Sequence, residues 1–192
     1  MKPIYLAAVH RTLDLRLPEV FPEFAPMTLK LSRAERERAT LFPGSRLSSC
    51  LLPIGRTFMH FIPHRRQERL LAEVGWSETG RFPIELSSHG SLRNPVNEFE
   101  QSEWLIDLAE LYHRKHNAPH LGWDVWKCSV SIEHPDFMKI FMKEDLEPVS
   151  DSEATVRAEA AVSACFATLK DVAIPYLAQW VQLRSERVAN VL

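Results

Sequence analysis

Three short apolar segments in the middle of the chain constrain the fold more than any other sequence feature. Residues 46–52 are followed by a break at residues 53–55, and residues 56–62 end at a proline. A third segment, residues 67–76, ends before a turn at residues 77–80. Short apolar segments separated by proline, glycine and charged turns are typical of an antiparallel meander.

The middle segment has the pattern of a central strand. Strand alternation would place two mostly apolar sets on opposite sides: Phe58, His60 and Ile62 on one side, and Thr57, Met59 and Phe61 on the other. This predicts a strand covered on both faces, although a buried helical turn would give a similar pattern. His60 is then expected to be a core histidine with satisfied hydrogen bonds rather than a catalytic base.

Helical and strand patterns flank this meander. Residues 4–21 carry a loose apolar face that is limited by Pro18 and Pro22. Residues 104–112 carry apolar side chains at helical spacing, whereas residues 123–132 alternate in a way that predicts a further strand.

The C-terminal part of the chain carries the clearest helix. Ser150 with Glu153 three residues later predicts an N-cap and a capping box before the alanine-rich residues 154–170. Ile174 precedes Pro175, so a break or kink is expected there, followed by a last helix.

These patterns together predict an α+β fold. We expect an antiparallel sheet of about 3–5 strands packed against helices, with a helical C-terminal region. No linker is apparent in the 192 residues, so one domain over residues 1–192 is predicted.

Composition excludes several function classes. The chain has 6 glycines and 13 prolines, and it lacks glycine-rich nucleotide loops, a GxSxG elbow and an HExxH motif. A non-enzymatic protein without a cofactor is therefore favoured. The formal net charge of -2 argues against a protein that coats nucleic acid or an acidic membrane surface.

Cysteine usage and hydropathy bear on the compartment. The three cysteines, Cys50, Cys128 and Cys165, form no CxxC pair and are odd in number. A secreted disulfide scaffold would use a denser and even set. No signal peptide is recognised at the N-terminus, and no window approaches the ~20 apolar residues of a membrane span. A cytoplasmic location and no membrane partner are predicted.

A histidine-rich segment offers one alternative function. Glu110, His113 and His116 would share a helical face, and His120 and Asp124 follow soon after. Imidazole and carboxylate groups together suit zinc or iron, so a metal-dependent enzyme is the alternative hypothesis. The competing explanation is a solvated helix end, where basic residues complement the helix dipole.

An acidic segment offers a docking surface. Glu144, Asp145, Glu147 and Asp151 precede the predicted C-terminal helix, with Glu153 in its first turn. Negative charge near a helix N-terminus is favourable in itself. The same charges could also steer a basic protein partner onto the chain, and the binding hypothesis places the partner site there.

A basic turn lies between two of the predicted strands. Arg65, Arg66 and Arg69 could hold a phosphate or carboxylate. The turn has no interleaved aromatic residues and contains Glu68, so a polar hairpin loop is the simpler interpretation and nucleic-acid binding is disfavoured.

Two segments resemble other proteins. Residues 41–47, with the sequence LFPGSRL, and residues 73–77, with the sequence EVGWS, are followed by Pro83. Together they resemble uncharacterised bacterial hypothetical proteins over about residues 40–85, a resemblance that implies no activity or catalytic residue. Small α+β proteins of this type are similar in kind to immunity proteins of bacterial toxin systems. That similarity implies a protein partner, with a toxin as the specific case.

Overall fold

The computed structural model describes residues 3–29, 44–64, 69–84, 86, 97–117 and 150–190, without the side chain of His64. Within these ranges the chain forms one five-stranded antiparallel sheet in the order β1-β2-β3-β4-β5. The strands are β1 (Ala25–Pro26), β2 (Arg46–Leu52), β3 (Gly55–His64), β4 (Arg69–Ser77) and β5 (Glu103–Asp107). The predicted meander is confirmed, and its middle segment is the third of the five strands.

The turn between β2 and β3 requires a glycine at residue 55. Leu52 pairs with Gly55, so a two-residue loop joins the strands. Gly55 has φ of +141°, and a Cβ atom there would lie 2.5 Å from the carbonyl oxygen of Ser77. Only glycine combines this dihedral angle with so close an approach of a neighbouring backbone.

The helices are α1 (Pro3–Val20), α2 (Leu108–His116), α3 (Asp151–Thr168) and α4 (Ile174–Ala189), with a π-turn (Leu169–Ala173) joining the last two. The α+β class with a helical C-terminal region is therefore confirmed. A break or kink was predicted before the proline of α4. At this point a π-turn interrupts the α-helical pattern, and helical structure continues into α4.

One predicted helical stretch is in part a strand. Residues 104–112 were expected to form a single helix, but β5 runs to Asp107 and α2 begins only at Leu108. Strand pairing with β4 outweighs the local spacing, because Trp104 lies opposite Trp76 and both indoles are buried. Asp107 then caps α2, accepting a hydrogen bond from the N–H of Ala109 at 2.7 Å.

One face of the sheet carries the main core. Met59, Phe61, Val74, Trp76 and other side chains of this face pack against apolar residues of α1, α2, α3 and α4. Trp76 and Phe61 are completely buried. We call this the helix-side face.

The opposite face, which we call the second face, holds a smaller cluster and a buried polar pair. Its buried apolar members are Leu47, Phe58, Phe82 and Leu105. His60 lies on this face opposite Glu73 of β4, with Nδ1 3.1 Å from the Glu73 carboxylate, and His60 is 1% exposed. His60 is thus a core residue as predicted, but its Nε2 makes no hydrogen bond among the described residues.

The C-terminal helical stretch is unusually apolar. From Asp151 to Ala189 it is long enough to cross a bilayer, and it contains an 18-residue window of mean hydropathy 1.3, although no window approaching a membrane span was expected. Half of that window is buried inside the protein, as expected for a helix that packs on a sheet. Length and composition of this kind are weak evidence for a membrane span.

Candidate functional site

The π-turn between α3 and α4 is held by the end of α2. Pro175 has no N–H to donate to the carbonyl four residues back, which belongs to Asp171. The Nζ of Lys115 donates to that carbonyl at 2.7 Å. Helix α2 thus supplies a donor at the point where the proline interrupts the helical hydrogen-bond pattern.

The side chain of Asp171 is bound by the same helix end. Lys115 Nζ donates to Oδ1 at 2.6 Å, and His116 Nε2 lies 2.7 Å from Oδ2. These hydrogen bonds from Lys115 and His116 lower the pKa of Asp171 below its ordinary value. Two members of the basic helix end therefore clamp the π-turn.

Arg114 links α2 to the 3-10 turn Glu98–Glu100 before β5. Its Nε donates to Glu110 at 2.9 Å and its Nη1 to Glu98 at 2.7 Å. Burial alone would lower the pKa of Arg114, but the hydrogen bonds to Glu110 and Glu98 outweigh it and the pKa is raised. The guanidinium is held by two carboxylates from different elements.

A groove runs between α2, the 3-10 turn, the π-turn and α4. Its volume is about 360 Å³, and it is shallow and open to solvent. The lining side chains come from all four elements: Glu98, Phe99, Leu111, Arg114, Lys115, Val172, Pro175, Tyr176 and Gln179. We call this feature the π-turn groove.

The floor of the π-turn groove rests on a stack of aromatic rings. Trp76 stacks with both Phe99 and Trp180, with centroid distances of 5.7 Å and 5.3 Å. The ring of Tyr176 packs on Trp76 at 5.5 Å and on Phe99 at 5.1 Å. Closely packed rings leave little rotational freedom, so the floor is preformed.

Tyr176 presents its ring to the groove and hides its hydroxyl. The hydroxyl oxygen is buried beneath the surface. Burial, and next the negative charge of Glu98, raise the pKa of Tyr176 well above its ordinary value. The phenol is therefore neutral throughout the physiological range.

The structure does not assemble the predicted metal ligands. Glu110 bonds to Arg114 and His116 to Asp171, while His113 makes other interactions. Over the part of the chain that is described, no group of three or more His, Cys, Asp or Glu is arranged to hold a metal ion. His120 and Asp124 lie outside the described residues.

The metal hypothesis stays a prediction that elemental analysis can test. Stoichiometric zinc or iron in protein purified without an affinity tag, lost in the His113→Ala and His116→Ala variants, would support it. Metal retained in those variants would remove it.

Only the C-terminal end of the acidic segment lies within the described residues. Glu144, Asp145 and Glu147 lie outside the described residues, whereas Asp151 is exposed at the first residue of α3. The side chain of Ser150 accepts a hydrogen bond from the backbone N–H of Glu153, which confirms the predicted N-cap. The Glu153 carboxylate accepts a hydrogen bond from Arg157. Asp151 therefore combines a favourable position at the helix N-terminus with exposure to a partner.

Of the three arginines in the basic turn, only the last lies within the described residues. Arg65 and Arg66 lie outside the described residues, and Arg69 is the first residue of β4. Burial lowers the pKa of Arg69, and the negative charge of Asp107 opposes this effect. Arg69 is thus partly withdrawn from solvent beside a carboxylate, which favours a role in the sheet.

Sequence patterns indicated only part of this groove. Pro175 marked the interruption of the helix, and the basic residues of α2 were recognised as a helix end. Phe99, Val172 and Gln179 carry no local signal, because they line the groove only after the 3-10 turn and the two helices have packed.

Comparison of the chain with protein-family models, curated proteins and solved structures finds no match.

Proposed function

We propose that the protein is a non-enzymatic, cytoplasmic protein-binding protein whose partner docks on the π-turn groove. The observation that carries this proposal is an open groove of about 360 Å³ with an apolar, aromatic floor and a charged rim. An apolar centre with aromatic residues and arginine, surrounded by a polar rim, is the usual anatomy of protein interfaces.

The electrostatics of the groove favour recognition over proton transfer. General acid–base catalysis needs a group whose pKa lies near the operating pH. Arg114 is protonated and Tyr176 neutral near pH 7 at their ordinary pKa values, and the raised pKa values in this structure move both groups further from titration. Lys115 is held in an ion pair with Asp171. Charged groups fixed in this way provide specificity and orientation.

The acidic segment is proposed as a second contact for the same partner. Glu144, Asp145, Glu147 and Asp151 would provide a local negative field for a basic surface, and Asp151 is exposed. The proposal is supported by this charge pattern despite the near-neutral total charge of the chain.

The partner is proposed to be a toxin, with this protein acting as its immunity factor. Two features support that choice: the small α+β fold without recognised catalytic motifs, and the resemblance in kind to immunity proteins. Sequestering a toxin requires a specific surface and no chemistry, which is consistent with the π-turn groove.

Blocking the groove tests the binding proposal. Gln179 is exposed on α4 and lines the groove, whereas Ala178 is exposed on the same helix outside it. For the protein that copurifies with the untagged chain, Gln179→Trp should weaken binding at least about tenfold, measured by calorimetry. Ala178→Trp is the matched control and should change affinity less than about twofold. Equal affinity for both variants and the wild type would reject the groove as the docking site.

Charge reversal tests the acidic contact. Replacing Glu144, Asp145 and Glu147 with Lys should slow association with the same partner and reduce its salt dependence. Circular dichroism serves as the control for folding. An unchanged association rate would remove this segment from the interface.

A further inference from the structure

Helices α1 and α3 pack side by side and run in the same direction. Arg157 of α3 donates to the hydroxyl of Tyr5 at 3.3 Å, and Arg16 of α1 donates to the hydroxyl of Ser163 at 3.4 Å. Residue numbers increase along both helices from the first contact to the second, so the two helices are parallel.

The outer side of this helix pair is exposed. Its residues are spaced by four on α1 and by three and four on α3, which places each set on one side of its helix. We call this surface the α1–α3 face, and its exposed members are Ala7, Arg11, Leu15, Val156, Glu159 and Ser163. Arg11 and Glu159 lie near the midpoint of the two contacts between the helices, so they are at about the same height along the pair.

Two residues of the α1–α3 face are large and apolar. Leu15 and Val156 are each 64% exposed. They lie on opposite sides of the midpoint, since Leu15 is four residues after Arg11 and Val156 is three residues before Glu159. Covering both side chains would remove apolar surface from water, which favours association.

Arg11 and Glu159 are charges of the α1–α3 face that lack a partner. Both are exposed, and neither forms an ion pair in the part of the chain that the structure describes. Neighbouring charges pair within the chain: Arg16 with Glu19, Asp14 with Arg46, and Glu153 with Arg157. One unpaired cation and one unpaired anion on the same face make that face complementary to itself.

We infer that the α1–α3 face binds a second copy of the chain in a two-fold symmetric dimer. A two-fold axis perpendicular to the helices, placed between Arg11 and Glu159, lays α1 of one copy antiparallel on α3 of the other. Arg11 of each copy then meets Glu159 of the second copy, and Leu15 meets Val156. This surface is separate from the π-turn groove, which α2, α4 and the two turns line, so the inference does not depend on the proposed function.

The size of the α1–α3 face suits a weak dimer. The same axis brings together Ala7 and Ser163, whose small side chains allow close approach of the helices. Each helix has 18 residues. Helices of this length measure about 27 Å, and two of them side by side are about 20 Å wide, so the dimer would bury roughly 1,000 Å² in total. This area is at the lower end for specific complexes, and a dissociation constant of about 1–100 µM is expected.

Sedimentation equilibrium of the full chain, from about 1 µM to 1 mM, measures this dissociation constant. Leu15→Lys and Val156→Lys should each weaken dimerisation at least about tenfold, because the two-fold axis places the new charge in the interface twice. Leu51→Lys is the matched control, since Leu51 is 71% exposed on β2. That control should change the dissociation constant less than about twofold.

Charge reversal tests the pairing across the two-fold axis. Arg11→Glu and Glu159→Arg should each weaken dimerisation about tenfold, because like charges then face each other twice. A mixture of the two variants should form mixed dimers with near wild-type affinity, since both facing pairs are then of opposite charge. Circular dichroism of each variant is the control for folding.

Several results would overturn the inference. They are a chain that stays monomeric at about 1 mM, a dimer that withstands Leu15→Lys, or the absence of mixed dimers from the two charge variants. A dimer that Gln179→Trp disrupts and Leu15→Lys does not would place self-association at the π-turn groove instead.

Discussion

The two faces of the sheet are stabilised in different ways. On the helix-side face, Met59, Phe61 and Trp76 join one large apolar core with all four helices. On the second face, a four-residue buried cluster surrounds a hydrogen-bonded pair, His60 and Glu73, of which Glu73 is 5% exposed. The His60 and Phe82 rings form a T-shaped pair with centroids 5.2 Å apart.

This difference separates two sources of stability. Burial of apolar area on the helix-side face supplies a large, non-directional driving force. The polar pair on the second face adds little to the free energy of unfolding, because desolvation offsets the attraction between its members. Removing one member would nevertheless destabilise the protein strongly, because the other would remain buried without a partner. Substitutions on the two faces should therefore differ in character as well as in size.

The largest effect is expected at Gly75, whose neighbours in β4 include Trp76 on the opposite face. A Cβ atom at Gly75 would lie 1.9 Å from the carbonyl oxygen of Trp104, which is backbone and cannot move aside cheaply. Gly75→Ala should cost more than about 4 kcal/mol or prevent folding.

Gly80→Ala is the control for Gly75→Ala. Gly80 has φ of +73°, and nothing lies within 4 Å of an added Cβ atom, so only backbone strain of about 1 kcal/mol is expected. Urea unfolding of the two variants measures the difference. Similar stabilities would show that β4 and β5 can separate to admit a methyl group.

The next largest effect is expected on the helix-side face at Trp76. Trp76→Ala should lower the free energy of unfolding by about 4 kcal/mol, because the indole is completely buried and stacks with Phe99 and Trp180. Val156→Ala is the matched control, since Val156 is 64% exposed and should change stability by less than about 0.5 kcal/mol. A loss below about 2 kcal/mol at Trp76 would contradict the tightly packed aromatic stack.

A smaller but more specific effect is expected on the second face. Glu73→Leu should cost about 3 kcal/mol, since it leaves His60 buried without its hydrogen-bond partner. The double variant His60→Leu/Glu73→Leu should recover most of that loss, measured by a double-mutant cycle in urea. Additive costs would mean that the two side chains act independently.

The smallest effect is expected in the helical layer, at the clamp on Asp171. Hydrogen bonds from Lys115 and His116 lower the pKa of this carboxylate, so the charged form is favoured by folding. The stabilisation should be present above the unfolded pKa of about 3.9 and disappear as the pH falls through the lower folded value.

Asp171→Asn should remove this pH dependence. Hydrogen exchange of residues 169–176 in the wild type and the variant, followed from neutral to acidic pH, measures it. The two proteins should converge at low pH. Equal protection of the two proteins at neutral pH would instead assign the clamp to the bond from Lys115 to the backbone carbonyl of residue 171, which the variant keeps.

Much of the fold follows from local pattern. Alternation predicted the strand at 56–62, turns predicted its neighbours, and Ser150 with the alanine-rich run predicted α3. Residues 104–107 show where local pattern fails, since a helical spacing became β5 through pairing with Trp76 and its neighbours. Strand pairing joins residues far apart in sequence, so no local window contains the information.

The candidate site was less accessible to prediction. Glu110, His113 and His116 were recognised as a possible ligand set, but the pairing of His116 with Asp171 depends on how α2 packs against the π-turn. Arg114 was expected only as part of a helix end, and in the structure it joins α2 to the 3-10 turn. Ion pairs of this kind follow from tertiary packing.

The sequence by itself determined the α+β class, the central strand and the capped C-terminal helix, because periodicity, capping and turn chemistry act over a few residues. The tertiary structure alone decided that Lys115 and His116 clamp the π-turn and that four separate elements form one groove. The physical reason is that hydrogen bonds and grooves depend on distances of a few ångströms between residues far apart in sequence, such as Glu98 and Gln179, which are 81 positions apart.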